Sequence, residues 1–377
     1  MKTNILIGLF ILVLHNALFA QINVDREKVL SKRGVAEQRS IDLFPVEPGI
    51  GKVRVRLVNQ PNTASLRLHF RIESAPPTRS WAIQVKDSSG NIASVISAND
   101  VIGTDFWSND IPGASATVEL ITIAEDDPAR PLQIKIVKIV KSSPPFQPES
   151  ITPPNQLETI ANQSGEIKNI GKAVVRLRFI GDDGGDYLCS GFMISRDLLM
   201  TNNHCIKTNS EMISALIDFD YDEVGAKQSG SRLKELILTN SDLDFSLLRL
   251  RDPIGPDRGF LKLAAVKPST KQSLIIVQHP GGEPKQVSRQ DCIVENPEMT
   301  GISPQNTDFS HLCDTRGGSS GSPVIDNSSQ IFLVVGIHHL GFDPSSSSLV
   351  NRAVRMGLIL EEIRSKKPSI LSELGIQ

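Results

Sequence analysis

From about residue 48 the chain alternates. Leu66, Leu68, Phe70 and Ile72 are separated by Arg67, His69 and Arg71. Trp81, Ile83 and Val85 repeat the spacing and run into a Ser-Ser-Gly-Asn turn at 88–91. Ala116, Val118 and Leu120, then Leu132, Ile134 and Ile136, continue it. A period of two places successive side chains on opposite faces of a strand, and turn residues between such runs predict antiparallel pairing. Residues 45–141 therefore read as a β-sandwich of jelly-roll type, an accessory or pro-domain. It holds no catalytic constellation. His69, among polar strand positions, is expected at the surface.

Residues 142–165 carry five prolines among polar residues. Proline removes backbone donors and resists regular structure, so a semi-rigid linker is expected, with the parts on either side separable. Beyond it, 166–377 forms the second domain. A strand is expected at Ala173–Phe179, a Gly/Asp turn at 181–186, then strands near 188–194, 198–201, 213–219, 245–250, 273–278, 322–326 and 331–338. Val354, Leu358, Ile359 and Ile363 share one helical face near the end. Mostly β structure with one terminal helix fits paired β-barrels better than an α/β sheet.

Residues 1–20 differ from the rest. Lys2 gives a positive start, Ile5 to Leu14 form an apolar run broken by Gly8, and small Ala20 precedes Gln21. This is the pattern of a cleaved secretory signal, too short in its apolar core to span a bilayer. It predicts a secreted or periplasmic protein with no membrane association after cleavage. A net charge of −2 gives no electrostatic reason to expect nucleic acid. The four cysteines, Cys189, Cys205, Cys292 and Cys313, all lie in the second half. Export makes disulfides expected, and four cysteines allow three connectivities.

Three segments carry chemistry: Cys189 to Ser195 running on to Thr201-Asn202-Asn203-His204-Cys205, Asp244 to Leu250, and Asp314 to Val324. A serine hydroxyl needs a base in hydrogen-bond reach, and the base needs a carboxylate to hold its tautomer. Ser320, His204 and Asp244 supply the three. Gly318 frees the backbone so that the N–H groups of Gly318 and Ser320 can meet an oxyanion. Gly317 to Gly321 also satisfies G-x-S-x-G with Ser319 as nucleophile, but that fold needs Ser before Asp before His, with intervening helices. Asp242 is a weaker rival to Asp244. His279, His311 and His339 read as strand-end or loop residues. Without an HExxH or an ordered His/Cys set, no metal and no cofactor are expected. Asp218, Asp220 and Asp222 alternate along the chain; between a calcium site and a solvated face, the solvated face is the expectation.

Gly318-Ser319-Ser320-Gly321-Ser322-Pro323 resembles the nucleophile motif of trypsin-like peptidases. Thr201 to Cys205 resembles their histidine motif, and Asp244 to Leu250 their aspartate strand, in the same order. Gly-Ser-Pro-Val after Ser320 and Gln278-His279-Pro280-Gly281-Gly282 are most similar to the bacterial glutamyl endopeptidase branch. The resemblance covers about 170–365. It implies a chymotrypsin-like double β-barrel and a serine endopeptidase acting on proteins or peptides. It also implies Cys189–Cys205 and Cys292–Cys313 pairings. Thr315 and His338 match the hydroxyl and imidazole with which that branch holds a substrate carboxylate, implying cleavage after Glu. Asp314 stands where trypsin-like enzymes place the aspartate that reads Arg or Lys, so basic or broad preference stays open. Ser319 replaces the aspartate that pairs with a new N-terminus in pancreatic-type enzymes, so another control, such as loss of residues 21–165, enters. A secreted binding protein on a degenerate protease fold is the alternative of a different class.

Overall fold

The computed structural model describes residues 30–43, 53–75, 81–122, 131–146, 149–151, 154–224, 230–254, 256–303, 305–329, 331–341 and 350–376. The signal-like segment 1–20 lies outside them. In the N-terminal half, strands Val53–Asn59, Ser115–Thr122, Trp81–Asp87 and Ile92–Ser97 form a four-stranded antiparallel sheet. It packs on strands Ser65–Ser74 and Gln133–Phe146, which pair antiparallel with each other. Alternation decides which side chains meet between the layers: Leu66, Leu68, Phe70, Ile83, Val85, Val118, Leu120, Ile134 and Ile136 share one buried cluster.

The opposite face of Ser65–Ser74 is also covered, and this corrects the surface placement of His69. Its ring stacks on Trp107 at 4.4 Å and its Nε2 lies 3.0 Å from Asp105. Burial pushes its pKa down to about 4. Arg67, on the same face, is fully buried and donates to the Ser214 carbonyl of the C-terminal half at 2.5 Å. The cover of His69 comes from strand Asp105–Trp107, which pairs with Ser65–Ser74, and that of Arg67 from Ser214; a strand pattern read locally includes neither.

The C-terminal half is mostly β and has the chymotrypsin-like fold of two curled sheets. Strands Val174–Ile180, Gly185–Met193, Leu198–Thr201, Leu216–Asp218, Leu233–Asn240 and Phe245–Leu250 make the first. Strands Glu158–Thr159, Gln286–Ser288, Leu274–Gln278, Pro323–Asp326, Leu333–Leu340, Asn351–Arg355 and Asp308–His311 follow one another in the second. The chain ends in two short helices, Met356–Lys366 and Pro368–Glu373, rather than one, because Pro368 opens a new helix where the first has closed. The strand expected at 213–219 begins instead with helix Asn209–Ser214, whose N-cap Thr208 accepts from the Glu211 N–H.

Strand Ser31–Asp42 pairs with Gln133–Phe146 on one side and with Gly185–Met193 on the other. It thereby joins the N-terminal β structure and the first barrel into one sheet. Of the segment read as a linker, 142–146 continues a strand, and Glu149–Ser150 pairs with Thr315–Arg316. A cavity of about 760 Å³ opens between the two halves, lined by Ile102, Phe106, Trp107, Met212, Arg232 and Leu233, and it contains none of His204, Asp244 or Ser320.

Candidate active site

Strand Leu198–Thr201 pairs antiparallel with Phe245–Leu250, with Thr201 opposite Ser246. The residues just after the first strand and just before the second are therefore neighbours, which brings His204 to Asp244. Asp244 Oδ2 lies 2.7 Å from His204 Nδ1, and Oδ1 accepts the His204 backbone N–H at 2.9 Å. Asn202 Nδ2 donates to the Asp244 carbonyl at 2.8 Å. Asp244 has φ +42°, in the left-handed region, a conformation aspartate tolerates at some cost. Burial alone would raise its carboxyl, but His204 and then His339 hold it well below the usual carboxylate range. Asp242 sits on the exposed turn, its N–H bonded to Asn240 Oδ1.

Ser320 occupies the turn before strand Pro323–Asp326. Its carbonyl accepts the Ser190 N–H at 2.8 Å, and Cys205 Sγ lies 3.9 Å from the same oxygen. The disulfides Cys189–Cys205 and Cys292–Cys313 are both formed, so the first fastens the histidine loop beside this turn. Two glycines are dictated by space. A Cβ on Gly321 (φ +87°) would sit 2.2 Å from the Ser190 carbonyl oxygen. One on Gly318 (φ +97°) would sit 2.8 Å from Gly282 N and 2.9 Å from His279 O. Ser319 is fully buried, with its Oγ accepting the Arg316 N–H at 3.0 Å, so its hydroxyl serves the turn. Among the described residues neither Gly318 nor Ser320 gives its N–H to a backbone carbonyl. Among the described residues His204 Nε2 has no hydrogen-bond partner, Ser320 Oγ included. Such contacts are often loose before substrate is bound.

Thr315 and His338 are both buried. Thr315 Oγ1 has no hydrogen-bond partner among the described residues. His338 Nδ1 lies 3.2 Å from His311 Nε2, and burial holds His338 well below the ordinary histidine value and His311 at about 3. Asp314 is buried as well, with Oδ2 accepting the Gln156 N–H at 2.8 Å and its carbonyl accepting Gln278 Nε2 at 2.8 Å.

Sequence reasoning passed over His339. Its Nδ1 lies 3.1 Å from Asp244 Oδ2 and its Nε2 lies 2.8 Å from Asp308 Oδ2. The signal was available: His338 and His339 are adjacent on one strand and so face opposite sides, and one of them had to face the first barrel. His279 is buried, with Nδ1 at 3.0 Å from the Glu283 carbonyl oxygen.

The alternating aspartates each meet cations. Asp218 pairs with Arg176 at 2.8 Å, Asp220 with Arg258 at 2.7 Å, and Asp222 with Lys285 at 3.0 Å. Among the described residues the grouping with metal-ligand spacing is Cys189, His204 and Cys205, and its two thiols are joined as a disulfide. No described helix is long and apolar enough to cross a membrane.

Residues 189–337 match the family model for the trypsin-like peptidase domain. The chain is 28% identical over 271 residues to secreted RxLR effector protein 73 of Plasmopara viticola, covering 64% of this chain and 66% of that protein. It is 31% identical over 172 residues to uncharacterized protein y4fB of Sinorhizobium fredii, covering 40% of this chain and 25% of that one. The chain thus spans about two thirds of the first relative and a quarter of the second. Among solved structures, a Glu endopeptidase in complex with MPD superposes with a TM-score of 0.43 at 20% identity, over 56% of this chain and 96% of that one. Residues 189–337, the stretch that holds His204, Asp244 and Ser320, are thus similar to the trypsin-like peptidase domain.

Proposed function

We propose that the protein is an exported serine endopeptidase in which Ser320 is the nucleophile, His204 the general base and Asp244 its orienting carboxylate. Ser320 Oγ attacks the scissile carbonyl while its proton passes to His204 Nε2. The imidazolium then gives that proton to the leaving amine, and water releases the acyl group by the same route. The N–H groups of Gly318 and Ser320 meet the oxyanion. The observation that carries this reading is the two-point hold of Asp244 on His204, 2.7 Å at Nδ1 and 2.9 Å at the backbone N–H, which directs Nε2 away from the carboxylate. A fluorophosphonate should label Ser320, and Ser320→Ala should abolish labelling with the fold intact. Labelling elsewhere would overturn the assignment, and a folded protein inert to the reagent would favour a binding role.

Acidic preference is the specificity we infer. Thr315 offers a buried hydroxyl with no hydrogen-bond partner among the described residues, and His338 is buried with His311, held neutral by burial, at its Nδ1. The Asp314 carboxylate is engaged by the Gln156 N–H rather than free to receive a basic side chain. Two disulfides and the 1–20 pattern support secretion or export to the periplasm, with protein or peptide substrates and no nucleic-acid or membrane partner. The segment before 166 is best read as an accessory domain built against the barrel.

A further inference from the structure

Asp244 Oδ2 receives two imidazoles, His204 Nδ1 at 2.7 Å and His339 Nδ1 at 3.1 Å. A carboxylate oxygen only accepts, so both nitrogens carry protons. The other nitrogen of His339 faces a second carboxylate, Asp308 Oδ2, at 2.8 Å. We propose that His339 and Asp308 are positioning residues of the reaction centre: an imidazolium held between two carboxylates fixes Asp244 and sets the charge that His204 experiences. The proposal rests on the reading of Ser320, His204 and Asp244 given above.

The arrangement is built rather than incidental. His339 and Asp308 are both fully buried, and Asp244 is 1% exposed. Asp308 Oδ1 accepts Thr307 Oγ1 at 2.9 Å, so both of its oxygens are used. The loop at Gly301 closes on this carboxylate so tightly that a Cβ there would sit 2.7 Å from Asp308 Oδ1. A neutral imidazole at 339 would aim one lone pair at a carboxylate oxygen in a site without water-like screening, which favours the doubly protonated ring. Flanking charge agrees, since Asp308 and Asp244 raise His339 to about 9 against its burial.

The other groups around it do not supply that charge. His204 faces Asp244 from the first barrel, and His311 and His338, from the Asp308–His311 strand and from its own strand, are held neutral by burial. The arginines of strand Asn351–Arg355 bond to the Thr300 and Asn306 carbonyls. The Asp308–His339 pair is therefore neutral as a unit, leaving Asp244 its full charge toward His204.

Charge-matched variants test this through the pH dependence of fluorophosphonate labelling at Ser320, which needs no knowledge of the substrate. His339→Asn keeps an amide donor toward Asp244 but removes the cation and leaves Asp308 unbalanced. The midpoint of the acid limb should rise by about one pH unit. Adding Asp308→Asn restores the net charge and should return the midpoint to the wild-type value. A midpoint that stays put in folded His339→Asn, or a double variant that fails to restore it, overturns the proposal, because a purely structural role predicts loss of activity without a charge-matched return. Should the variants not fold, imidazole ¹⁵N and ¹H spectra of the wild-type protein decide. Two histidines must each show a protonated nitrogen bonded to a carboxylate, and one of them must keep both ring protons from pH 5 to pH 8. A single such histidine overturns the proposal. Wild-type protein that is never labelled at Ser320 removes the triad reading itself, and the proposal with it.

Discussion

Asp244 touches His204 twice, through Oδ2 at Nδ1 (2.7 Å) and through Oδ1 at the backbone N–H (2.9 Å). The two contacts act differently. The backbone contact places the histidine loop; the ring contact selects the tautomer with Nε2 free to accept. Asp244→Asn keeps the shape but presents an amide that can donate to Nδ1, which would then leave the acidic hydrogen on Nε2. Turnover at neutral pH should drop by about 10⁴, with little change in melting temperature. A variant with a tenth or more of wild-type turnover would sink the assignment of Asp244.

His338 should carry the preference for a carboxylate. Its replacement by alanine should lower kcat/KM for substrates with Glu before the scissile bond by about 10²–10³, the loss of one charge-assisted contact, while labelling at Ser320 persists. Asp314→Asn is the counter-test. Because Asp314 Oδ2 already accepts the Gln156 N–H, the change should leave Glu cleavage unaltered or improved. A digest dominated by cuts after Arg or Lys, and lost in Asp314→Asn, would replace the acidic reading with a basic one.

Gly321 and Gly90 share a left-handed φ, +87° and +84°, but differ in surroundings. At Gly90 a Cβ meets nothing within 4 Å, so Gly90→Ala should cost only the conformational strain, about 1 kcal/mol. At Gly321 the Cβ would meet the Ser190 carbonyl oxygen at 2.2 Å and Thr201 Oγ1 at 2.3 Å. Gly321→Ala should lose at least about 3 kcal/mol, because backbone must shift. Chemical denaturation of the two variants side by side measures the difference, and equal losses would mean that the Ser320 turn is looser than its geometry implies.

The extent to which the sequence disclosed this site follows the range of the interactions. The motifs around His204, Asp244 and Ser320 were legible because each is local: a strand end, a sharp turn, a run of glycines. Strand positions with period two were legible in both halves. Strand Leu233–Asn240 was not, because its burial is irregular, with Lys234 and Glu235 exposed and register shifts against Phe245–Leu250 breaking the alternation. His339 and Asp308 escaped for another reason. They lie in different strands that meet only when the second barrel closes, and neither sits in a recognisable run. His69 was misplaced because its covering residue, Trp107, comes from strand Asp105–Trp107, whose pairing with Ser65–Ser74 the alternation alone does not disclose.

The pH dependence of stability should be set partly by His311. Burial holds it at about 3, below its unfolded value, so between about pH 6.5 and pH 3 the unfolded chain binds a proton that the folded one does not. Stability therefore falls on acidification across that window. His339 runs the other way: raised to about 9, it contributes stability that is complete below about pH 6.5 and lost as pH climbs through 9. Replacing His311 by Asn should flatten the decline in melting temperature between pH 6.5 and pH 4.5. An unchanged slope would place the acid-sensitive group elsewhere.

The N-terminal β structure and the barrel should unfold together, although the prolines of 142–165 predict separable parts. Leu30 is fully buried in the core cluster of the C-terminal half, and Ser31 pairs opposite Leu188, next to Cys189 of the Cys189–Cys205 disulfide. Buried charges cross the same boundary. Arg178 pairs with Asp110 at 2.9 Å and with Asp218 at 3.4 Å, and Ser142 Oγ donates to Asp186 at 2.7 Å. Stripping the N-terminal part away would leave Arg178 and Asp186 short of partners in an opened sheet edge, which favours one cooperative unit over two. Asp110→Ala is the sharpest probe, since it removes a partner of Arg178 from outside the barrel. It should cost about 3 kcal/mol and lower a single transition seen alike by tryptophan fluorescence, which reports Trp81 and Trp107 in the N-terminal half, and by loss of Ser320 labelling, which reports the barrel. Two separate transitions, with only the fluorescence one moved by the substitution, would show that the halves fold independently and that the shared strand Ser31–Asp42 does not couple them.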